Sequence, residues 1–110
     1  MATGRLGTTQ LSTGTIGTYI NVYPVPSGYY SVFNVSFTNT SSSPVTIRLA
    51  LSTSSSSPAI NEFIEYGTTI IGNGVFERTG LVLDAGKYVL ASSTGTAVNV
   101  NVYGIETSTS

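Results

Sequence analysis

Four carboxylates, Glu62, Glu65, Glu77 and Asp84, are the side chains best suited to acid–base or metal chemistry in this sequence. Two of them on one face beside an aromatic cleft would suit glycoside hydrolysis, and a tighter oxygen cluster would hold calcium. Their spacing places no pair in that way. Glu77 and Arg78 are adjacent, so on a strand they point to opposite faces. Each is expected to pair across strands or across a subunit boundary. Asp84 precedes Ala85-Gly86 and reads as a turn residue that accepts from its own backbone. Nothing around Lys87 suggests burial of its amine, so Ser-Lys chemistry is not expected. The seven tyrosines could stack on sugars, but Trp is absent and they scatter over several segments. They read as rings half-buried at sheet edges or at a protein interface, with the hydroxyl kept wet.

The 110 residues contain no His and no Cys. A Ser-His-Asp triad, a Cys-His dyad and ordinary zinc or haem sites therefore cannot be built within one chain. A net charge of -1 removes the electrostatic footprint that nucleic acid or an anionic membrane would require. No apolar run approaches the roughly 18 residues that span a bilayer. The expectation is a non-enzyme with no cofactor, no metal, no small-molecule substrate, and no nucleic-acid or membrane partner. Only nine residues are charged, whereas 33 are Ser or Thr. Hydroxyls must hydrate the surface, or partners must cover much of it. The start Met1-Ala2-Thr3-Gly4-Arg5 lacks the charged and apolar regions of a secretory signal. With no disulfide framework either, the protein is expected to be intracellular or released by a route other than secretion, such as lysis.

The elements that must position these residues follow a period of two. Val45, Ile47, Leu49 and Leu51 fall on one face of a strand, with Thr46, Arg48, Ala50 and Ser52 on the other. Val98, Val100 and Val102 alternate with Asn99, Asn101 and Tyr103, and Phe33, Val35 and Phe37 alternate with Asn34, Ser36 and Thr38. Thr18 to Tyr23 is a weaker strand that stops at Pro24-Val25-Pro26-Ser27-Gly28. Val75 to Arg78 and Leu81 to Leu83 read as two short segments around Thr79-Gly80, followed by a tight turn into Lys87 to Ser92. Asn73-Gly74 is a hairpin-type dipeptide. Ile60 to Tyr66 suits an edge strand better than a helical turn. No segment sustains a 3.6 period.

Seven or eight short strands over about 100 residues imply an all-β fold, an antiparallel β-sandwich or small barrel. A jelly-roll-like β-sandwich is expected, with an immunoglobulin-like sandwich as the alternative. Residues 1–15, rich in Gly and Thr, read as a flexible N-terminal arm anchored by Leu6 and Leu11. Residues 16–106 form the single sandwich domain, and 107–110 a frayed tail. The run Ser52 to Pro58 is the one low-complexity stretch and reads as a linker between strands. Asn34-Val35-Ser36 and Asn39-Thr40-Ser41 match the N-glycosylation pattern, as chance allows in so Ser/Thr-rich a chain.

Several stretches together resemble small virion structural proteins of tailed bacteriophages. They are Met1 to Gly7, Tyr23-Pro24-Val25-Pro26-Ser27-Gly28, Asn34 to Asn39 leading into Val45 to Ser52, Phe63-Ile64-Glu65-Tyr66, Asn73 to Leu83, and Val100 to Glu106. The run from Asn73 to Leu83 is the most specific. The resemblance implies a non-enzymatic β-sandwich of the virion, a capsid cement or decoration protein, often a homotrimer that bridges subunits of the major capsid protein on the capsid exterior. Made in the host bacterial cytoplasm, it would end on the capsid surface. On that reading Arg5, Leu6 and Leu11 dock on the capsid, and Arg48, Glu77 and Arg78 lie at subunit contacts. The alternative is a fibre, neck or tail component that binds a host surface glycan through the tyrosines and the Ser-rich run.

Overall fold

The alternating segments become paired strands because each can bury one face only by laying it against another sheet. In the computed structural model, which describes residues 3–12 and 14–109, eight strands follow in order. They are β1 (Thr3–Leu11), β2 (Ile20–Pro24), β3 (Tyr29–Asn39), β4 (Val45–Ser52), β5 (Phe63–Ile70), β6 (Val75–Asp84), β7 (Tyr88–Ser93) and β8 (Val98–Ser108). One sheet has the order β1-β8-β3-β6 and the other β2-β7-β4-β5. All pairings are antiparallel: β1 with β8, β2 with β7, β3 with β6 and β4 with β5 form a ribbon of partners, closed into sheets by β3–β8 and β4–β7. Such a ribbon wrapped into a double sheet is the jelly roll. The immunoglobulin-like alternative divides its strands differently and is set aside.

The three expected alternations face the core. Phe33, Val35, Phe37, Ile47, Leu49, Val98, Val100 and Val102 are almost wholly buried, and Leu51 packs against them from the margin. Ile60–Glu62 form a single 3-10 turn that leads into β5, an edge strand as expected. Val75 to Leu83 is one strand instead of two, because a bulge opposite Phe33–Val35 absorbs Thr79 and Gly80. Gly80 accommodates it with a φ of 72°. Asn73, at φ 59°, does turn the chain, but from β5 in one sheet to β6 in the other. The dipeptide therefore makes a corner between sheets and not a hairpin.

Both termini depart from expectation. Residues 3–11, expected within an arm, form β1 and pair with β8 from Thr3↔Ile105 to Leu11↔Val98. The glycines that suggested flexibility have a packing role: a Cβ on Gly7 would lie 2.4 Å from the carbonyl oxygen of Val22, so only glycine lets β1 lie against β2. Met1, Ala2 and Thr13 of that expected arm lie outside the described residues. At the other end β8 runs through Ser108, and the Thr109 N–H donates to Gly28 O at 2.9 Å, so the expected frayed tail is tied down to Thr109. Ser110 lies outside the described residues.

Polar links cross between the sheets, and two of them involve ionisable side chains on both partners. Arg78 on β6 donates to Glu65 on β5 and to the Ile64 carbonyl (3.1 Å), joining the two edge strands on one side. Tyr23 on β2 reaches across to the other sheet, donating to Glu106 Oε2 at 2.6 Å and lying 2.6 Å from Ser31 Oγ. Burial, with Glu106 holding its proton, pushes the Tyr23 phenol up to about 12. Because that folded value exceeds the ordinary 10.0, its contribution is complete below pH 10.0 and is lost as pH rises through about 12. Tyr23→Phe is expected to cost about 1–3 kcal/mol at neutral pH, since Ser31 and Glu106 lose a buried partner. It should also flatten the alkaline arm of the stability curve. Urea denaturation at neutral and alkaline pH reads both effects, and an unchanged alkaline arm would refute the link.

Candidate interaction surfaces

The chemistry-bearing side chains are dispersed. Glu62 sits at the Ser-rich loop, where Oε1 accepts from Ser52 Oγ (2.6 Å) and the Ala59 N–H (2.9 Å) and Oε2 from the Thr53 N–H (3.3 Å). These donors hold its carboxyl below the usual range, the Ser52 hydroxyl most of all. Ser54 Oγ in turn accepts from the N–H groups of Ser56 and Ser57. The low-complexity run does link two strands, β4 and β5, and is fastened along its length by these bonds. Glu65 is taken by Arg78 and Thr68, Asp84 by Lys87 at 2.8 Å, and Glu77 by the Tyr103 hydroxyl. Among the described residues no three His, Cys, Asp or Glu side chains gather, and no concave pocket forms. What the fold offers to partners is the outer face of each sheet.

The outer face of the β2-β7-β4-β5 sheet covers itself. Arg48 stands opposite Tyr66 on β5 and Ser92 on β7, so the three share that face. Its guanidinium lies 4.0 Å from the centre of the Tyr66 ring and donates to Tyr19 Oη at 2.9 Å. Phe63 packs between Tyr19 (5.5 Å) and Tyr66 (4.8 Å). Ala50, Leu90 and Ser92 point outward on this sheet and are nevertheless fully buried, so the middle of this face is closed to solvent. Arg48, expected at a subunit contact, is spent within its own chain. So is Arg78, in its inter-sheet link.

The outer face of the β1-β8-β3-β6 sheet is open. Among the described residues, five of the eight large exposed hydrophobic ones lie on it: Tyr30, Val32, Val75, Val82 and Ile105. Val32 stands directly between Val82 and Ile105, which are 59% and 42% exposed, so three strands contribute one continuous apolar strip. Comparison with known protein families, curated proteins and solved structures found no match. The face must therefore be judged by its own chemistry. The strip is flanked by Tyr103 and, on β1, by Arg5, both on the same face through the pair Arg5↔Tyr103. Glu77 and Asp84 are exposed along the opposite edge.

Of the three expected docking residues, Arg5 alone is exposed on this face. Leu6 is the extra residue of a bulge between Arg5 and Gly7 and packs against the core. Leu11 is 1% exposed, so its expected role in docking is corrected: it pairs with Val98 and closes the interior of the sandwich. Alternation alone marks Val32, Val82 and Ile105 as outward. It does not say that they are neighbours, which depends on the registers of three strands distant in sequence. The sequon at Asn39 is structural, since its side-chain amide is buried and fully engaged. Asn34 is half-buried, its Oδ1 accepting from the Gly80 N–H.

Proposed function

We propose that the chain is a non-enzymatic bacteriophage virion structural protein of the capsid cement or decoration type. It associates with the major capsid protein on the capsid exterior and with copies of itself. The observation that carries this reading is the apolar strip at the middle of a sheet face whose charges, Arg5, Glu77 and Asp84, stand only on its two edge strands. A partner can cover such a strip while those charges stay at the rim, where burying them unpaired would be costly. Jelly rolls also recur in viral shells, which is analogy at the level of architecture and nothing more.

Mixing the purified protein with capsids stripped of accessory proteins tests it. Saturable binding at hundreds of copies per particle, with a raised temperature of capsid disruption, is the expected result. No binding to such capsids sinks the reading. A second reading, a fibre, neck or tail component that binds a glycan, draws support from Tyr66, a residue 55% exposed beside the Arg48 guanidinium. Few copies per virion, together with glycan binding that Tyr66→Ala abolishes, would favour it over the capsid.

A further inference from the structure

The β1-β8-β3-β6 face carries a self-complementary pattern of apolar and charged residues. Across the sheet the strand order places Arg5 on one edge strand, Glu77 and Asp84 on the other, and the apolar strip between them. Among the described residues Arg5 is also the one cation of four without an ion pair, a ring or a hydroxyl partner. We infer that this face binds the same face of a second copy, about a twofold axis that runs along the strands between β8 and β3.

That operation keeps each row of the sheet at its own height and exchanges left for right. Val32 of each copy then lies over Ile105 of the other, because the two stand side by side in one row on either side of the axis. The β1 edge of one copy covers the β6 edge of the other. Arg5 shares its row with Tyr103 and Asn34, and Glu77 shares the next row with Ser36 and Asn101. The offset is two residues along a strand, about 7 Å, which an extended arginine spans. A contact of this kind is isologous, so each ion pair and each apolar contact forms twice. Two sheets stacked face to face leave room for one interdigitated layer of side chains, as within the sandwich itself.

The size of the face sets the strength. Four strands about 4.8 Å apart and five rows along the sheet give roughly 600 Å² per copy, near the lower end of specific interfaces. The association is therefore expected in the micromolar range, concentrated enough on a particle surface and dilute enough to reverse in solution. The face carries few charges, so salt should weaken it only modestly.

Sedimentation equilibrium from micromolar to millimolar protein tests the proposal. The expected result is a monomer–dimer equilibrium that Val82→Lys or Ile105→Lys weakens about tenfold or more, with the thermal melt of the dilute monomer unchanged. Arg5→Glu should weaken it as well, and the exchange pair Arg5→Glu with Glu77→Arg should restore it. Restoration separates a facing pair from a general loss of surface quality. The chain lacks Cys, so cysteines placed at positions 32 and 105 on separate copies can be joined by a short bismaleimide, whereas one at position 66 should not join either. A protein that stays monomeric at millimolar concentration overturns the proposal. So does a trimer, or a dimer indifferent to both lysine variants. Monomers that still coat capsids would overturn the pairing and leave the capsid assignment standing, and pairs that ignore capsids would do the reverse.

Discussion

Deleting residues 1–11 is expected to abolish cooperative folding at room temperature. β1 is the outer partner of β8 along its length, from Thr3↔Ile105 to Leu11↔Val98. Without it the backbone of β8 becomes a long open edge beside Val98, Val100 and Val102, all fully buried in the intact chain. The side of the core closed by Leu11 and Leu6 is uncovered at the same time. Leu11 alone gives a graded version of the experiment. Leu11→Ala should cost about 2–5 kcal/mol, a large part of the 5–15 kcal/mol that holds an ordinary domain together. Circular dichroism melts and amide chemical-shift dispersion read the truncation, and urea titration reads the point variant. An arm would behave in the opposite way: the truncated protein would melt like the full chain, and Leu11→Ala would cost almost nothing.

Asn39→Ala should lower stability by about 3 kcal/mol, more than any other single polar substitution in the chain. The side chain is fully buried at the end of β3 and clasps two connections at once. Its Nδ2 donates to Ser43 O (2.8 Å), Ile71 O (3.1 Å) and Ile70 O (3.3 Å), and its Oδ1 accepts from Ser41 N (3.1 Å) and Ser41 Oγ (2.7 Å). The β3–β4 turn and the β5–β6 corner are thereby fixed to one another. Removing the amide leaves several part-buried carbonyls and an N–H without partners, at about 1–3 kcal/mol for each buried group that water cannot reach. Asn39→Asp discriminates this account from simple loss of volume. It keeps the acceptor side but turns an anion toward three carbonyl oxygens, so it should destabilise more than alanine does. Equal midpoints for the two variants in urea would refute the clasp.

How legible the clasp was depends on where one looks. Asn39 continues the inward series Phe33, Val35, Phe37, so a polar residue at an inward position was visible in the sequence. Its five partners were not, because they come from two connections, one of them more than 30 residues away. Tyr23 shows a different failure of local reading. Strict alternation from Ile20 and Val22 would turn Tyr23 outward, yet a bulge between Asn21 and Tyr23 in the pairing with β7 lets both Val22 and Tyr23 face inward. Nothing in the residue types around Tyr23 announces that bulge. Gly7 is a third case. A glycine in a Gly/Thr-rich stretch is read locally as freedom, and only the nearby Val22 carbonyl shows that it is a close approach.

The interaction surface divides in the same way. Outward positions for Arg48, Ala50 and Ser52 follow from the period of two, but whether they meet solvent does not. On β4 Arg48 is taken up by the Tyr66 ring and the Tyr19 hydroxyl, Ser52 is tied to Glu62, and Ala50 is fully buried. On β3, β6 and β8 the outward Val32, Val82 and Ile105 are left open. The sequence by itself determined the all-β class, the three core-facing alternations, the sandwich with jelly roll as the favoured topology, and a surface built from hydroxyls in place of charge. These are properties of composition and of side-chain direction along a single strand, which repeats every two residues wherever the strand lies. Tertiary structure alone decided that residues 3–11 are a strand, that Asn39 is a clasp, and that three valine and isoleucine side chains form one strip. Each of those depends on which strand lies beside which and in what register, and pairings between segments as far apart as β1 and β8 leave no periodic trace in either.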